Sequence, residues 1–142
     1  MKYHFKAEKE DVGYSAQCVE IPGCITQGDT LKELNQNMKE ALELVLDELP
    51  DSKYVAPLPN ERIRQSKSMH IVSPDPQIAL AHMVRYYRIK HKMTQKQIAK
   101  KMGFNDIYSY QRLESSNCNP TLKTILKIKE ILPEISFDIA MA

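Results

Sequence analysis

The stretch Met93-Thr94-Gln95-Lys96-Gln97-Ile98-Ala99-Lys100-Lys101-Met102-Gly103 decides the fold of the second half of this chain. Thr94 and Gln97 form a capping box. The threonine oxygen accepts from an otherwise unpaired amide, and the glutamine reaches back to the cap amide. Ile98, Ala99 and Met102 then share one helical face, and Gly103 closes the helix as the residue that enters the left-handed conformation without strain. A second helix over about residues 106–115 follows closely, so the stretch has the outline of two short helices joined by a tight turn. Upstream, Ile78, Ala81, Val84 and Tyr87 recur at three-residue steps and predict a preceding helix. Downstream, Asn119 and Pro120 read as N-cap and first position of a further helix that buries Leu122, Ile125, Ile128 and Leu132. At the end, Ile135, Phe137 and Ile139 alternate with Ser136 and Asp138, which predicts a terminal strand.

The first half has a different period. Tyr3, Phe5 and Ala7 alternate with His4, Lys6 and Glu8, a half-buried strand with His4 and Lys6 facing outward. A polar run ending at Gly13 makes the hairpin connection to a second strand with Ala16 and Cys18 inward. Pro22-Gly23 is a turn, and residues 24–27 form a third strand. Thr30 and Glu33 make another capping box. The helix it opens carries a stripe of Leu31, Leu34, Met38, Ala41, Leu42, Val45, Leu46 and Leu49 and stops at Pro50. Five of the eight prolines fall between Pro50 and Pro76. Within that span, residues 57–59 suit an edge strand, residues 60–68 a polar linker and residues 69–72 a short strand.

The 142 residues are 42% hydrophobic and 27% charged. That balance excludes a disordered or membrane-embedded chain, and no apolar run reaches the ~18 residues a bilayer span needs. With no signal-peptide core at the start, the expected setting is cytoplasmic. The net charge of +2 conceals an asymmetry. Residues 1–56 hold 6 Lys against 11 Asp and Glu, net −5, and residues 57–142 hold 14 Lys and Arg against 7 Asp and Glu, net +7. An acidic and a basic half suggest two modules with different partners. The cysteines, Cys18, Cys24 and Cys118, are odd in number and lack zinc-site spacing, so they read as buried small hydrophobes.

The block at residues 93–103, with Tyr110-Gln111-Arg112-Leu113-Glu114 and Asn119-Pro120-Thr121-Leu122, resembles the Cro/C1-type helix-turn-helix repressors over about residues 78–132. That resemblance implies binding to double-stranded operator DNA. Thr94 and Gln95 sit at a helix N-terminus, which favours phosphate, and Lys96 adds charge that displaces counterions. Asn105, Asp106, Ile107, Tyr108 and Ser109 open the base-reading helix, with Arg112 one turn on and Asn119 and Thr121 beyond. Arg88 and Glu114 match positions that form a buried ion pair in that family, and Tyr110 matches a core position. From Gly103 to Glu114 this chain has one residue more than the usual family spacing.

The stretch Ile21-Pro22-Gly23-Cys24-Ile25-Thr26-Gln27-Gly28-Asp29-Thr30-Leu31-Lys32-Glu33, with Gly13-Tyr14-Ser15, Glu40-Ala41-Leu42 and Ile71-Val72-Ser73-Pro74-Asp75, resembles the HicB family of antitoxins. The resemblance implies a first domain of degenerate ribonuclease-H-like fold that binds and neutralises a HicA-like, mRNA-cleaving toxin protein. It also implies a pair that represses its own operon. Glu8, Glu10, Asp11 and Glu20 are the candidate toxin-binding residues, with Asp47, Glu48 and Asp51 a second acidic cluster; an acidic module suits a basic RNA-binding partner.

No catalytic set is legible: Glu20 and Asp29 are the only placed carboxylates that suit a two-metal nuclease, and Asp29 is better explained beside the helix cap. The chain is therefore expected to be no enzyme and to use no metal and no cofactor. The fold class expected is α+β. Residues 1–59 form a small antiparallel sheet with one covering helix, residues 60–76 a linker with a possible short strand, and residues 77–142 an all-α helix-turn-helix domain with a terminal strand. A homo-oligomer, dimer or tetramer, is expected on DNA, with the strand at residues 135–139 as its pairing edge. The competing reading is a stand-alone helix-turn-helix transcription regulator whose first domain senses a ligand.

Overall fold

The computed structural model describes residues 1–47 and 52–141 and divides them into two compact units. The first comprises residues 1–46 and 56–74. Its strands β1 (Tyr3–Lys9), β2 (Tyr14–Cys18), β3 (Ile25–Gly28) and β4 (Met69–Val72) form one sheet of order β3-β2-β1-β4. Every neighbouring pair is antiparallel, with Phe5 opposite Cys18 and Tyr3 opposite Val72. The period-two pattern works as alternation requires: Tyr3, Phe5, Ala16, Cys18 and Val72 are buried. Helix α1 (Leu31–Leu46) packs on the sheet and buries Leu34, Met38, Leu42 and Leu46. Each such side chain contributes roughly 1.5–3 kcal/mol by leaving water. Leu31, expected in that stripe, is exposed instead. Leu49 and Pro50 lie outside the described residues, as do Glu48 and Asp51 of the second acidic cluster. The Thr30 hydroxyl accepts from the Glu33 amide at 3.1 Å, and the Glu33 carboxylate accepts from the Asp29 amide at 2.9 Å.

The short strand expected at residues 69–72 is present as β4, which pairs along β1 and completes the sheet. Two expectations for this half are corrected. Residues 57–59 form no strand. Pro57 contributes its carbonyl to the Tyr3 hydroxyl at 3.0 Å. His4 does not face water: it is 6% exposed and meets Glu20, which folds back from the turn after β2.

The second unit comprises Asp47, residues 52–55 and residues 75–141. Helix α2 (Pro76–Lys90) starts with proline at its first position, where the missing amide costs nothing. Arg85 of α2 donates to the Ser52 and Tyr54 carbonyls at 2.6 and 3.2 Å, which ties residues 52–55 to this unit. Helix α3 (Gln95–Lys101) carries the complete Thr94–Gln97 capping box. It ends at Gly103 with φ +79°, and the Gly103 and Phe104 amides turn back to the Lys100 and Ala99 carbonyls. Helix α4 (Ile107–Gln111) is shorter than expected and tightens into a 3-10 turn over Arg112–Glu114. Helix α5 (Leu122–Ile131) is capped by Thr121 rather than Asn119, its hydroxyl accepting from the Thr124 amide at 3.3 Å. That shift leaves Leu122, expected inside, 74% exposed.

The predicted terminal strand is absent; residues 137–141 form helix α6 (Phe137–Met141), packed on α2. Ser136 opens it, its carbonyl accepting from Ala140 and its hydroxyl from Ile139. Ile135 is buried before the helix starts, so the apolar alternation came from a loop anchor plus one helical turn. With no strand there, residues 135–139 offer no pairing edge.

Gly28 gives the sharpest packing test. A Cβ there would stand 2.6 Å from the Leu34 amide nitrogen and 2.9 Å from its Cα, both backbone atoms of α1. Gly28→Ala is expected to destabilise the protein by about 1–3 kcal/mol, as overpacking does, in a urea titration followed by circular dichroism; an unchanged midpoint would contradict this close approach of β3 and α1.

Candidate nucleic-acid interface and its buried carboxylate

Glu114 ends the 3-10 turn with its side chain 3% exposed. Its Oε1 accepts from Arg88 Nε and from the Tyr110 hydroxyl at 2.6 Å. Its Oε2 accepts from Arg88 Nη2 at 3.3 Å and from Gln95 Nε2 at 2.9 Å. Arg88 also donates to the Met93 carbonyl at 2.8 Å, and Gln111 donates to Gln95 Oε1 at 3.0 Å. Donors from α2, α3 and α4 thus converge on one carboxylate. Burial and the adjacent Glu114 charge push the Tyr110 phenol far above its ordinary range, so it stays a hydrogen donor at all physiological pH values.

Around this network the residues expected to meet DNA divide into two groups. Thr94, Asp106, Ser109 and Thr121 commit side-chain oxygens to helix caps. Asp106 Oδ1 accepts from the Ser109 amide at 2.8 Å, and its Oδ2 accepts from the Ser109 hydroxyl at 2.9 Å. Those bonds hold the Asp106 carboxyl below its usual range, the backbone amide first. Gln95 is half-buried and holds Gln111 and Glu114. Lys96, Asn105, Tyr108, Arg112 and Asn119 are exposed, Tyr108 at 75%, and Ile107 is half-buried. Ser109, Arg112, Asn119 and Thr121 line one open cleft of about 510 Å³. Gln111 was missed from the sequence. Its signal was available: Gln95 and Gln111 are polar groups of matching hydrogen-bonding capacity on the two helices that flank the turn.

On the first unit, Glu8, Glu10 and Asp11 are exposed at the β1–β2 hairpin. Glu8 lies 3.6 Å from Lys6, and Glu10 accepts from the Ser15 hydroxyl at 2.6 Å. Glu20 is a correction, because it is no surface acid. Its side chain is 3% exposed, accepts from the His4 and Asn60 amides at 3.0 and 3.3 Å, and stands 2.6 Å from His4 Nδ1. Its role is to close the end of the sheet. Among the described residues, no cluster of three or more His, Cys, Asp or Glu side chains is placed to hold a metal ion, and no helix is long and apolar enough to cross a membrane.

Removing Glu114 strands a buried guanidinium. Glu114→Ala is expected to cost about 3–5 kcal/mol, whereas Tyr110→Phe, which removes one neutral donor, costs about 1 kcal/mol; equal losses in chemical denaturation would contradict the central role of the carboxylate. Asp106 sets a pH dependence. Its folded pKa is depressed, so its contribution is present above the ordinary carboxylate pKa and is lost as pH falls through the lowered folded value. Asp106→Asn, which keeps the cap without the charge, is expected to flatten the acid limb of a pH–melting-temperature profile.

No protein-family model matches the chain. A UPF0150 protein of Synechocystis is 48% identical over 48 residues, covering 33% of this chain and 61% of that protein. A second from the same organism is 43% identical over 58 residues, 40% of this chain and 78% of the relative. One from Archaeoglobus fulgidus is 44% identical over 48 residues, 33% of this chain and 70% of the relative. The chain spans about three fifths of the length of the first of these. With 43% identity along 78% of the second, it belongs to the UPF0150 family.

Proposed function

We propose that this chain is an antitoxin that neutralises a small HicA-like, mRNA-cleaving toxin through its first unit and represses its own operon through its second. The observation that carries the reading is the Glu114 network. It holds the five-residue helix and the 3-10 turn after it in a fixed orientation, while Tyr108 on the helix and Arg112 on the turn stay exposed. An aromatic and an arginine on a rigid helix suit base edges in a major groove, where arginine reads guanine with two parallel bonds. Lys96, Lys100 and Lys101, all exposed, supply phosphate neutralisation.

The cap commitments narrow the readout to Tyr108 and Arg112, with Asn105 and Asn119 beside them. So short a helix reads too few base pairs for specificity, so the reading includes a two-fold oligomer on a palindromic site. On the acidic side, Glu8, Glu10 and Asp11 at the hairpin suit a partner whose RNA-binding face is basic.

The test uses the full chain and duplex DNA from upstream of its own gene. Arg112→Ala is expected to weaken that binding by about 1–3 kcal/mol while sparing unrelated duplexes. A uniform loss on all sequences would make Arg112 a phosphate contact, and no preference for the upstream DNA would sink the repressor reading. Co-expression with the neighbouring reading frame tests the antitoxin half: a short basic protein should co-purify, and its ribonuclease activity should appear only when this chain is removed.

A further inference from the structure

Cys18 and Cys24 flank the turn that leaves β2, and both are buried free thiols. The Cys18 amide donates to the Cys24 carbonyl at 2.9 Å. One step beyond Gln17, which pairs with Ile25, the β2–β3 register sets Cys18 opposite Cys24, and facing Cα atoms of an antiparallel pair stand about 4.5–5.5 Å apart, inside the range of about 4.4–6.8 Å that a disulfide requires. Their side chains are neighbours, and the Cys18 thiol donates to Glu20 Oε2 at 3.6 Å, on a carboxylate already fixed by His4 and Asn60. The neighbouring Cys24 side chain and burial push the Cys18 thiol up, and the neighbouring Cys18 side chain draws that of Cys24 down. Cys118 belongs to the other unit, and burial alone pushes its thiol up to about 11.

We propose that Cys18 and Cys24 are a reversible dithiol–disulfide couple, a modification site that takes small disulfides. One of the two, as thiolate, attacks the small disulfide, forming a mixed disulfide and expelling one thiol. The other cysteine's sulfur then attacks the protein side of that bond, loses its proton and expels the second thiol. Two protein thiols are oxidised to one disulfide, and the small disulfide is reduced to two thiols. Closure replaces the Cys18–Glu20 contact with a covalent clamp across residues 19–23 and leaves Glu20 to His4 and Asn60. The inference is independent of the proposed antitoxin role.

The experiment equilibrates the full chain in glutathione buffers of graded redox ratio, quenches with an alkylating agent and maps tryptic peptides. Residues 10–32 contain no internal Lys or Arg, so one peptide holds both cysteines and closure makes it two hydrogens lighter and unalkylated. At a fixed glutathione ratio, the folded protein is expected to hold at least about tenfold more closed peptide than the protein in guanidinium, a difference that isolates the effect of the fold. Cys118→Ser should leave that ratio unchanged. The proposal is overturned if the peptide stays doubly alkylated when folded, or if unfolding leaves the ratio the same or raises it. It is equally overturned if the oxidised product links Cys18 or Cys24 to Cys118.

Discussion

A buried carboxylate needs donors on both oxygens, and the second unit is organised around meeting that need at Glu114. Removing a carboxylate and a guanidinium from water costs several kcal/mol per ion, which their attraction offsets only when the remaining lone pairs are also satisfied. Arg88 supplies two bonds, Tyr110 one and Gln95 one. Because these residues sit on three helices, the condition that satisfies Glu114 also fixes how those helices meet. Helix α4 depends on it most. Five residues are far below the length at which a helix is stable alone in water, so its direction is set by the Asp106 cap at one end and the Glu114 network at the other. Rigidity is what an element reading a surface requires, since side chains held in place lose less entropy on binding.

The first unit uses a carboxylate in the same way at smaller scale. Glu20 returns from the turn after β2 to satisfy the His4 amide and meet its ring, and it accepts from Asn60. It therefore joins β1, the turn and the segment leading to β4, three parts of the chain far apart in sequence. The close approach of Gly28 to Leu34 works from the other side of the sheet, letting α1 lie against β3 with no side chain between.

Local patterns were legible in the sequence where a single element decides them. Period two placed Tyr3, Phe5, Ala16 and Cys18 inward, both capping boxes opened their helices, and Gly103 took the left-handed conformation because only the turn acts on it. Features set by distant residues were not legible. Alternation put His4 outward, and only the return of Glu20 covers it. Residues 135–139 alternate as a strand does, yet a short apolar run carries no intrinsic choice between strand and helix; packing on α2 decides it. At the start of α5, Asn119, Pro120 and Thr121 all suit a helix start, and the neighbour that donates the cap bond, the Thr124 amide, settles which one serves. The interface followed the same division. Exposure of Lys96, Tyr108 and Arg112 was readable from polarity and helical position, whereas the Gln95–Gln111 bond depends on how α3 and α4 cross.

These inward turns change what the charge asymmetry means. The net −5 of residues 1–56 counts Glu20, whose carboxylate is spent on the sheet, so a partner drawn by acidic surface meets the hairpin acids rather than the turn. The net +7 of residues 57–142 counts Arg85 and Arg88, both buried and occupied with carbonyls and Glu114. Lys127 and Lys129 of α5 are likewise engaged, with Glu130 and with the Pro133 and Ile135 carbonyls, so the exposed basic charge of the second unit left for a polyanion is mainly Lys90, Lys92, Lys96, Lys100, Lys101, Lys123 and Arg112. In the proposed repressor, the lysines act through phosphate and set affinity and its salt dependence, while Arg112 and Tyr108 bear the discrimination between sequences. In that proposal affinity and specificity rest on different side chains, and it is the buried charge of Glu114, rather than any exposed one, that holds the elements bearing Tyr108 and Arg112 in place.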